Sequence, residues 1–177
     1  MAPGDHAVCV MAEEDISSVA AIEISSFPQT ASFSRTETLP SGEAKLREEL
    51  SRPWSHSWVI RGDGAGALSF LVAWHVADEV HVLNVATDPA HRRRGMGSAL
   101  VTHVVAFARA KRARHVLLEV RRSNEGAIRM YRAAGFFAAR LRHRYYPNDE
   151  DAVEMALTLD TRTGDVVSQG DAVSLDA

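Results

Sequence analysis

The chain has 177 residues, of which 46% are apolar, and this suits one globular domain with its own core. A single cysteine, Cys9, excludes an internal disulfide and a thiolate cage for a metal, and it fits a small buried hydrophobe. The first fifteen residues lack the features of a secretory signal, and the longest apolar-leaning run, at 65–74, is too short to cross a bilayer. We therefore expect a cytoplasmic protein with no membrane partner.

The formal net charge of −3 conceals a strong segregation of charge along the chain. Residues 92–144 carry a net charge of +12, whereas residues 1–91 carry −8 and residues 145–177 carry −7. A basic segment of this kind attracts nucleic acid, a membrane surface or a phosphorylated cofactor. The segment has few aromatic residues and no helix-turn-helix or zinc-finger spacing, which disfavours nucleic acid. The eight histidines show no metal-ligand spacing, so no metal is predicted.

The hydrophobic pattern predicts alternating strands and helices. A strand at 7–11 precedes a helix that begins after a cap at Asp15. A segment rich in Ser, Thr and Pro follows at 27–42, and a functional loop and a mobile loop are equally good interpretations of it. The later elements are helices at 43–50, 97–113 and 125–134 and strands at 57–62, 67–76, 80–87, 115–120, 136–142 and 153–159. Asn124 is predicted to cap the last helix and Gly135 to end it.

The first chemical motif has the form Arg-x-x-Gly-x-Gly and spans residues 92–97, between a predicted strand and a predicted helix. Glycines allow successive backbone N–H groups to converge on an anion, and the following helix adds its unpaired amides and its positive dipole end. A tight turn needed only for packing is the alternative. The motif lacks the Lys-Ser/Thr of a Walker A loop and the third glycine of a dinucleotide fingerprint. Together with three arginines, it favours the pyrophosphate of coenzyme A.

The second motif is a single carboxylate, Glu119, within an apolar strand that we expect to be buried on both faces. Burial of an unpaired carboxylate is costly, which indicates a function. Pairing with Arg121 or Arg122, or a place at the wet end of the strand, is the structural alternative. Tyr131 lies nearly two helical turns beyond Asn124 and can face the same strand end, although it can also be an ordinary packed aromatic residue.

These motifs, in this order, resemble the GNAT N-acetyltransferases. Asn84-Val85-Ala86-Thr87-Asp88-Pro89 precedes the glycine turn, and Leu118-Glu119-Val120-Arg121 precedes Ser123-Asn124, Tyr131 and Gly135-Phe136. Three strings narrow the resemblance to the RimI type, the ribosomal-protein-alanine N-acetyltransferases. They are Glu49-Leu50 with Arg52-Pro53-Trp54-Ser55, the Leu118-Glu119-Val120-Arg121 string, and Arg144-Tyr145-Tyr146-Pro147 leading to Glu150-Asp151-Ala152 and Met155. The resemblance covers roughly residues 10–157.

The resemblance implies an α/β fold with a central mixed, mostly antiparallel sheet of about seven strands flanked by about four helices. It implies one acetyltransferase domain at 1–160, followed by a polar tail at 161–177 that we expect to be flexible. Acetyl-CoA is the implied co-substrate, and a protein N-terminus, such as that of a small-subunit ribosomal protein, is the implied acceptor. The oligomeric state is left open.

The resemblance also assigns roles to residues. Glu119 matches the general base of the family and Tyr131 its general acid. The predicted contacts to acetyl-CoA are Val85, Ala86, Thr87, Arg92, Arg93, Arg94, Gly95, Met96, Gly97, Ser98 and Asn124, and the predicted contacts to the acceptor are Asn84, Tyr145 and Tyr146. The chain departs from the family at 29–42, where an enlarged loop replaces a Pro-Trp pair, and at Thr87, where an aliphatic residue is usual.

The implied chemistry is consistent with ordinary pKa values. An α-amine with a pKa near ~7.8 is about one-third neutral at pH ~7.5, whereas a lysine amine with a pKa near ~10.4 is almost fully protonated. A modest base therefore suffices for direct acetyl transfer to an α-amine. A small-molecule amine as acceptor and a non-catalytic acyl-CoA sensor are the alternatives, and the joint presence of Glu119 and Tyr131 argues against the sensor.

Overall fold

The computed structural model describes residues 6–27, 42–63 and 66–175. These residues form four α-helices and eight strands. The helices are α1 (Ile16–Ser26), α2 (Glu43–Ser51), α3 (Met96–Ala110) and α4 (Glu125–Ala133), and the strands are β1 (Val8–Val10), β2 (Ser55–Arg61), β3 (Ala67–Val76), β4 (Glu79–Thr87), β5 (His115–Arg121), β6 (Phe137–Arg142), β7 (Ala152–Leu159) and β8 (Val166–Val167). The predicted α/β architecture is confirmed, and β8 is an additional short strand that the hydrophobic pattern does not predict.

One sheet runs through the described part of the chain in the order β1-β2-β3-β4-β5-β7-β6, with β8 added to β7. Its neighbouring strands are antiparallel except for β4 and β5, which are parallel. The parallel register ends at Val82 opposite Leu118, and among the described residues the rest of β4 pairs only with β3. A bulge at Leu83 marks this point, because Val72 lies opposite Asn84 while Ala73 lies opposite Val82. The two parallel strands therefore separate near the middle of the sheet.

The helices cover the sheet on two faces and create two apolar clusters. One cluster joins α3 and α4 to β5 and β7, with Leu100, Val104 and Leu118 almost fully buried. The other joins α1 and α2 to β2, β3 and β4, with Val19 and Phe70 fully buried. Because successive residues of a strand face opposite sides, β5 buries every second side chain and presents the others, including Glu119, away from α3.

Two helix-end predictions are confirmed and one is wrong in detail. Asn124 Oδ1 accepts a hydrogen bond from Ala127 N at 3.2 Å, and Gly135 ends α4 in the left-handed region at φ +98°. Asp15 occupies the position before α1 but does not cap the helix with its side chain. Its buried carboxylate instead forms an ion pair with the Arg61 guanidinium at 2.6 Å, because that pairing offsets the cost of burying the charge.

Residues 161–175 contact the domain at several points. β8 pairs with the end of β7, and Asp171 Oδ1 accepts a hydrogen bond from Ala138 N at 2.8 Å beside its ion pair with Arg132. The domain boundary at 160 and the flexibility of the tail stay predictions. The enlarged loop predicted at 29–42 lies outside the described residues, apart from Gly42. Within the described ranges, no helix has the length and apolarity to cross a membrane.

Candidate active site

A cleft of about 980 Å³ lies between the separated ends of β4 and β5. Both strands, the turn before α3 and the helix α4 line it. All but one of the sequence-predicted site residues lie on its surface: Asn84, Val85, Ala86, Thr87, Arg92, Arg93, Arg94, Gly95, Met96, Gly97, Ser98, Glu119, Asn124, Tyr131 and Tyr146. The exception is Tyr145, which lies outside the cleft lining that the described residues form. The fold therefore brings together two motifs that are more than twenty residues apart in the sequence.

The turn before α3 has the geometry of an anion-binding loop. Arg93 (φ +64°) and Gly95 (φ +84°) are both in the left-handed region, which glycine adopts without strain. Alternation of this kind turns successive N–H groups toward one point. No side chain caps the start of α3 at Gly95, so the first amides of the helix are available to an anion. Gly97 also allows close packing of α3 on α4, since a Cβ atom there would lie 3.2 Å from Met130 Sδ.

The side chain of Glu119 is partly exposed in the cleft, with 23% of its surface accessible. The expectation that its strand is buried on both faces is therefore wrong, because the face of β5 that carries Glu119 is left open by α3 and α4. Arg121 forms an ion pair with Glu150, and Arg122 lies 3.6 Å from Asp151. Its partners are the Arg142 guanidinium, with Nε 3.3 Å from Oε1, and the Tyr145 hydroxyl, which donates a hydrogen bond to Oε2.

The sequence analysis missed two charged residues of the site. Arg142 on β6 and Glu154 on β7 both line the cleft beside Glu119. Arg142 donates to Glu154 Oε2 from Nη2 at 2.7 Å and from Nε at 3.0 Å. One signal was available, since Glu154 interrupts an apolar strand in the same way as Glu119 does. The position of Arg142 between the two carboxylates depends on strand register and carries no local signal.

Tyr131 lies on α4 with only 7% of its surface exposed, and its ring packs against Phe136 with centroids 5.8 Å apart. Burial raises the pKa of its hydroxyl to about 12. The hydroxyl is therefore protonated at every physiological pH and is suited to donate a hydrogen bond into the cleft.

Tyr145 and Tyr146 lie in the segment between β6 and β7 and differ in environment. Tyr145 is buried behind Glu119, where its hydroxyl donates to that carboxylate. Tyr146 lines the cleft, with the Arg121 guanidinium 3.8 Å from its ring centroid. Arg121 is also ion-paired to Glu150. Although burial opposes ionisation, hydrogen bonds from Ser123 and Arg121 lower the pKa of Glu150 to about 2.

Asn84 connects the cleft to α1. Its amide Nδ2 lies 3.3 Å from Glu23 Oε1, and it donates there from the wall of the cleft. Burial raises the pKa of Glu23, although backbone hydrogen bonding from Gly42 opposes the shift. In the parts of the chain that the structure describes, no group of His, Cys, Asp and Glu side chains is arranged to hold a metal ion.

Comparison with known proteins identifies the family. The sequence profile of the Acetyltransferase (GNAT) family matches residues 16–136. The chain belongs to this family. As in other GNAT proteins, the activity is an acetyl transfer from acetyl-CoA to an amine, and the predicted family membership is confirmed.

The relatives of this GNAT protein include ribosomal-protein-alanine N-acetyltransferases. The [ribosomal protein bS18]-alanine N-acetyltransferase of Escherichia coli K12 is 32% identical over 144 residues, which cover 73% of this chain and 97% of the relative. The crystal structure of the ribosomal-protein-S18-alanine N-acetyltransferase from Escherichia coli superposes with a TM-score of 0.71 and 26% identity, covering 96% of this chain and 99% of that one. The predicted RimI-type resemblance is therefore confirmed.

A further solved structure shares the fold alone. It is yncA from Salmonella typhimurium, solved with acetyl-CoA, which has a TM-score of 0.73 at 18% identity and covers 89% of this chain and 95% of that chain.

Proposed function

We propose that this enzyme transfers the acetyl group of acetyl-CoA directly to the α-amino group of a protein N-terminus, of the ribosomal-protein-alanine type, in the cytoplasm. The observation that carries the proposal is that one cleft contains a carboxylate, a buried tyrosine hydroxyl and an anion-binding turn. Its relatives named for acetylation of a ribosomal-protein alanine support this choice of acceptor.

The turn at 92–98 would hold the pyrophosphate of acetyl-CoA through backbone amides and the start of α3. The edge of β4 from Leu83 to Thr87, which lacks a β5 partner among the described residues, would contact the pantetheine and acetyl groups. Backbone amides near Val85 would then stabilise the negative charge that develops on the thioester oxygen.

Glu119 would act as the general base, directly or through a water molecule. Its partly exposed carboxylate would remove the proton as the amine nitrogen attacks the thioester carbonyl. The C–N bond forms as the C–S bond breaks, and coenzyme A leaves as a thiolate. Direct transfer needs no nucleophile of the enzyme, which fits a chain whose only thiol, Cys9, lies on β1.

Tyr131 would act on the departing sulfur, in the position that the resemblance assigns to the general acid. Because its pKa is about 12 and that of a simple thiol is ~8.5, complete proton transfer to the thiolate is unfavourable. Its contribution is therefore a hydrogen bond that strengthens as negative charge develops on sulfur.

The test uses acetyl-CoA and one peptide that begins with alanine and contains an internal lysine. We expect one acetyl group on the α-amine, located by fragment masses, and a much slower reaction when that amine is blocked. Exclusive acetylation of the lysine, or turnover of polyamines without turnover of the peptide, would contradict the proposed acceptor.

Calorimetry should show acetyl-CoA binding, whereas ATP and NAD should not bind.

A further inference from the structure

Glu119 does not stand alone on the open face of the sheet. It lies directly opposite Glu154 in the antiparallel pair of β5 and β7, so the two carboxylates project from the same face. Arg142 on the neighbouring strand β6 contacts both of them. Three charged side chains from three strands therefore meet at the proposed catalytic base.

The distances show that Arg142 is bound unequally by the two carboxylates. Two of its nitrogens contact Glu154 Oε2, at 2.7 and 3.0 Å, whereas Nε is 3.3 Å from Glu119 Oε1. Both shorter contacts go to one oxygen of Glu154, so two donors of the guanidinium bind Glu154 whereas one contacts Glu119. Glu154 is thus the principal partner of Arg142.

This inequality matters because a cation bound closely to a carboxylate stabilises its charged form and weakens it as a base. An opposite charge within ~4–6 Å lowers a carboxyl pKa by about 1–3 units. A neighbouring carboxylate has the reverse effect. Glu154 therefore acts on the surroundings of Glu119 in two ways, by binding Arg142 and by placing a second negative charge nearby.

We infer that Glu154 is a positioning residue that binds the Arg142 guanidinium more closely than the catalytic carboxylate of Glu119 does, and so keeps the contact of Arg142 with Glu119 at the longer distance of 3.3 Å. This inference rests on the proposed function, in which Glu119 is the base. Glu154 does not exchange a proton with the acceptor in this scheme. It acts by binding Arg142 and through its own charge.

The other ionisable groups around Glu119 are hydrogen-bonded, ion-paired or kept neutral. The Tyr145 hydroxyl donates to Glu119, and burial raises the pKa of Tyr146. Arg121, on the same strand, is ion-paired to Glu150.

Two further groups complete the surroundings. His81 on β4 donates from Nε2 to Glu79 at 2.7 Å, and Tyr131 faces the cleft from α4 in its protonated form. Among the groups described around Glu119, Arg142 is thus a cation that contacts Glu119 and is bound more closely by Glu154.

The experiment measures the pH dependence of kcat at saturating acetyl-CoA and peptide for Glu154→Gln and Arg142→Gln. In Glu154→Gln, Arg142 retains only Glu119 as a carboxylate partner. The low-pH limb of the kcat profile should therefore move to lower pH by about one pH unit. The maximal kcat should fall about threefold, because a weaker base removes the proton less readily. In Arg142→Gln the acid limb should move up, because two carboxylates then face each other without the cation. The double variant should lie between the two single variants.

A readout independent of turnover is the NMR titration of carboxyl-labelled glutamates, with the Glu119 signal assigned by its loss in Glu119→Gln. Glu48→Gln is the matched control, because it also removes a carboxylate whose oxygen lies 2.7 Å from an arginine Nη2 but lies outside the cleft. Its profile should coincide with that of the unmodified enzyme.

A Glu154→Gln profile that coincides with the unmodified enzyme, or that moves in the same direction as Arg142→Gln, would overturn the inference. If Glu154→Gln does not fold, the Arg142→Gln variant still tests the inference. An acid limb of kcat that is unchanged in Arg142→Gln would also contradict it. Full activity of Glu119→Gln would instead show that Glu119 is not the base, and the proposed mechanism would then be wrong. The two failures are therefore distinguishable.

Discussion

The two sides of the cleft are built by different means. On one side, the turn at 92–98 presents backbone amides and one helix start, and its shape depends on two left-handed residues. On the other side, the open face of β5, β6 and β7 presents side chains, with Glu119 held by Arg142 and Tyr145. A backbone site can bind the same phosphate group in any relative. A side-chain network can be altered one residue at a time, and this makes the second side the place where reactivity is adjusted.

The largest expected effect on activity comes from a substitution on the side of the cleft that presents side chains. Glu119→Gln keeps the volume of the side chain and removes its proton-accepting charge, so kcat should fall by on the order of 10²-fold or more. Binding of acetyl-CoA, measured by calorimetry, should stay within about twofold, because the turn at 92–98 is untouched. Equal loss of cofactor binding would show that the two sides are not separable.

Tyr131→Phe should have the next largest effect. The change removes one buried hydroxyl and leaves the ring against Phe136, so kcat should fall about tenfold or more while acetyl-CoA affinity changes little. Because the hydroxyl acts on the leaving sulfur, an acyl donor with a better leaving group should partly restore the rate. The same donor should not restore Glu119→Gln. Rescue of both variants, or of neither, would contradict the separate roles of base and acid.

The side of the cleft that presents backbone amides can be tested by a substitution that changes only the backbone conformation of the turn at 92–98. Gly95 has φ +84°, and a Cβ atom there would have nothing within 4 Å, so Gly95→Ala introduces backbone strain without a clash. A left-handed alanine costs about 1 kcal/mol, so the free turn should relax to another conformation. Acetyl-CoA must then restore the left-handed turn on binding, and its affinity should fall about fivefold with kcat at saturation nearly unchanged. Gly170→Ala is the control, because Gly170 has no positive φ and an equally open surrounding. A change in kcat without a change in affinity would count against a cofactor-binding turn.

The same contrast explains how much of the molecule was predictable from the sequence. The turn at 92–98 and the helix from Asn124 to Gly135 are encoded in contiguous residues, and they were located correctly because glycine and cap positions have local physical causes. The hydrophobic pattern predicts the alternation of strands and helices, and the family resemblance implies the α/β architecture.

The side-chain half could be predicted only in part. Glu119 was recognisable because a charge interrupts an apolar strand. Its actual partners, Arg142 and Tyr145, are more than twenty residues away, and their approach depends on the pairing of β5 with β7 and of β7 with β6. Strand register is fixed by packing across the whole sheet, which one sequence does not reveal. The bulge at Leu83 escaped prediction for the same reason.

The smallest expected effect concerns the stability of the fold at low pH. It arises on the opposite side of α3 from the cleft, and it separates loss of stability from loss of catalysis. His56 and His103 lie in an aromatic cluster there, with the His56 ring 4.5 Å from that of Phe107 and the His103 ring 5.2 Å from that of Trp58. Burial lowers the pKa of both histidines, and Lys111 adds to the effect at His56. The folded protein therefore favours the neutral rings, whereas the unfolded chain takes up protons from pH ~6.5 downward.

Stability should accordingly be complete above pH ~6.5 and decrease as the pH falls below that value, lowering the melting temperature by about 2 °C between pH 7.5 and 5.5. His56→Gln and His103→Gln should each reduce this decrease, while His143→Gln, which removes an imidazole that is 75% exposed, should not. The acid limb of kcat should be the same in all three variants, because none of these side chains lines the cleft. If the limb moves together with the melting temperature, loss of activity at low pH reports unfolding, and the assignment of that limb to Glu119 fails.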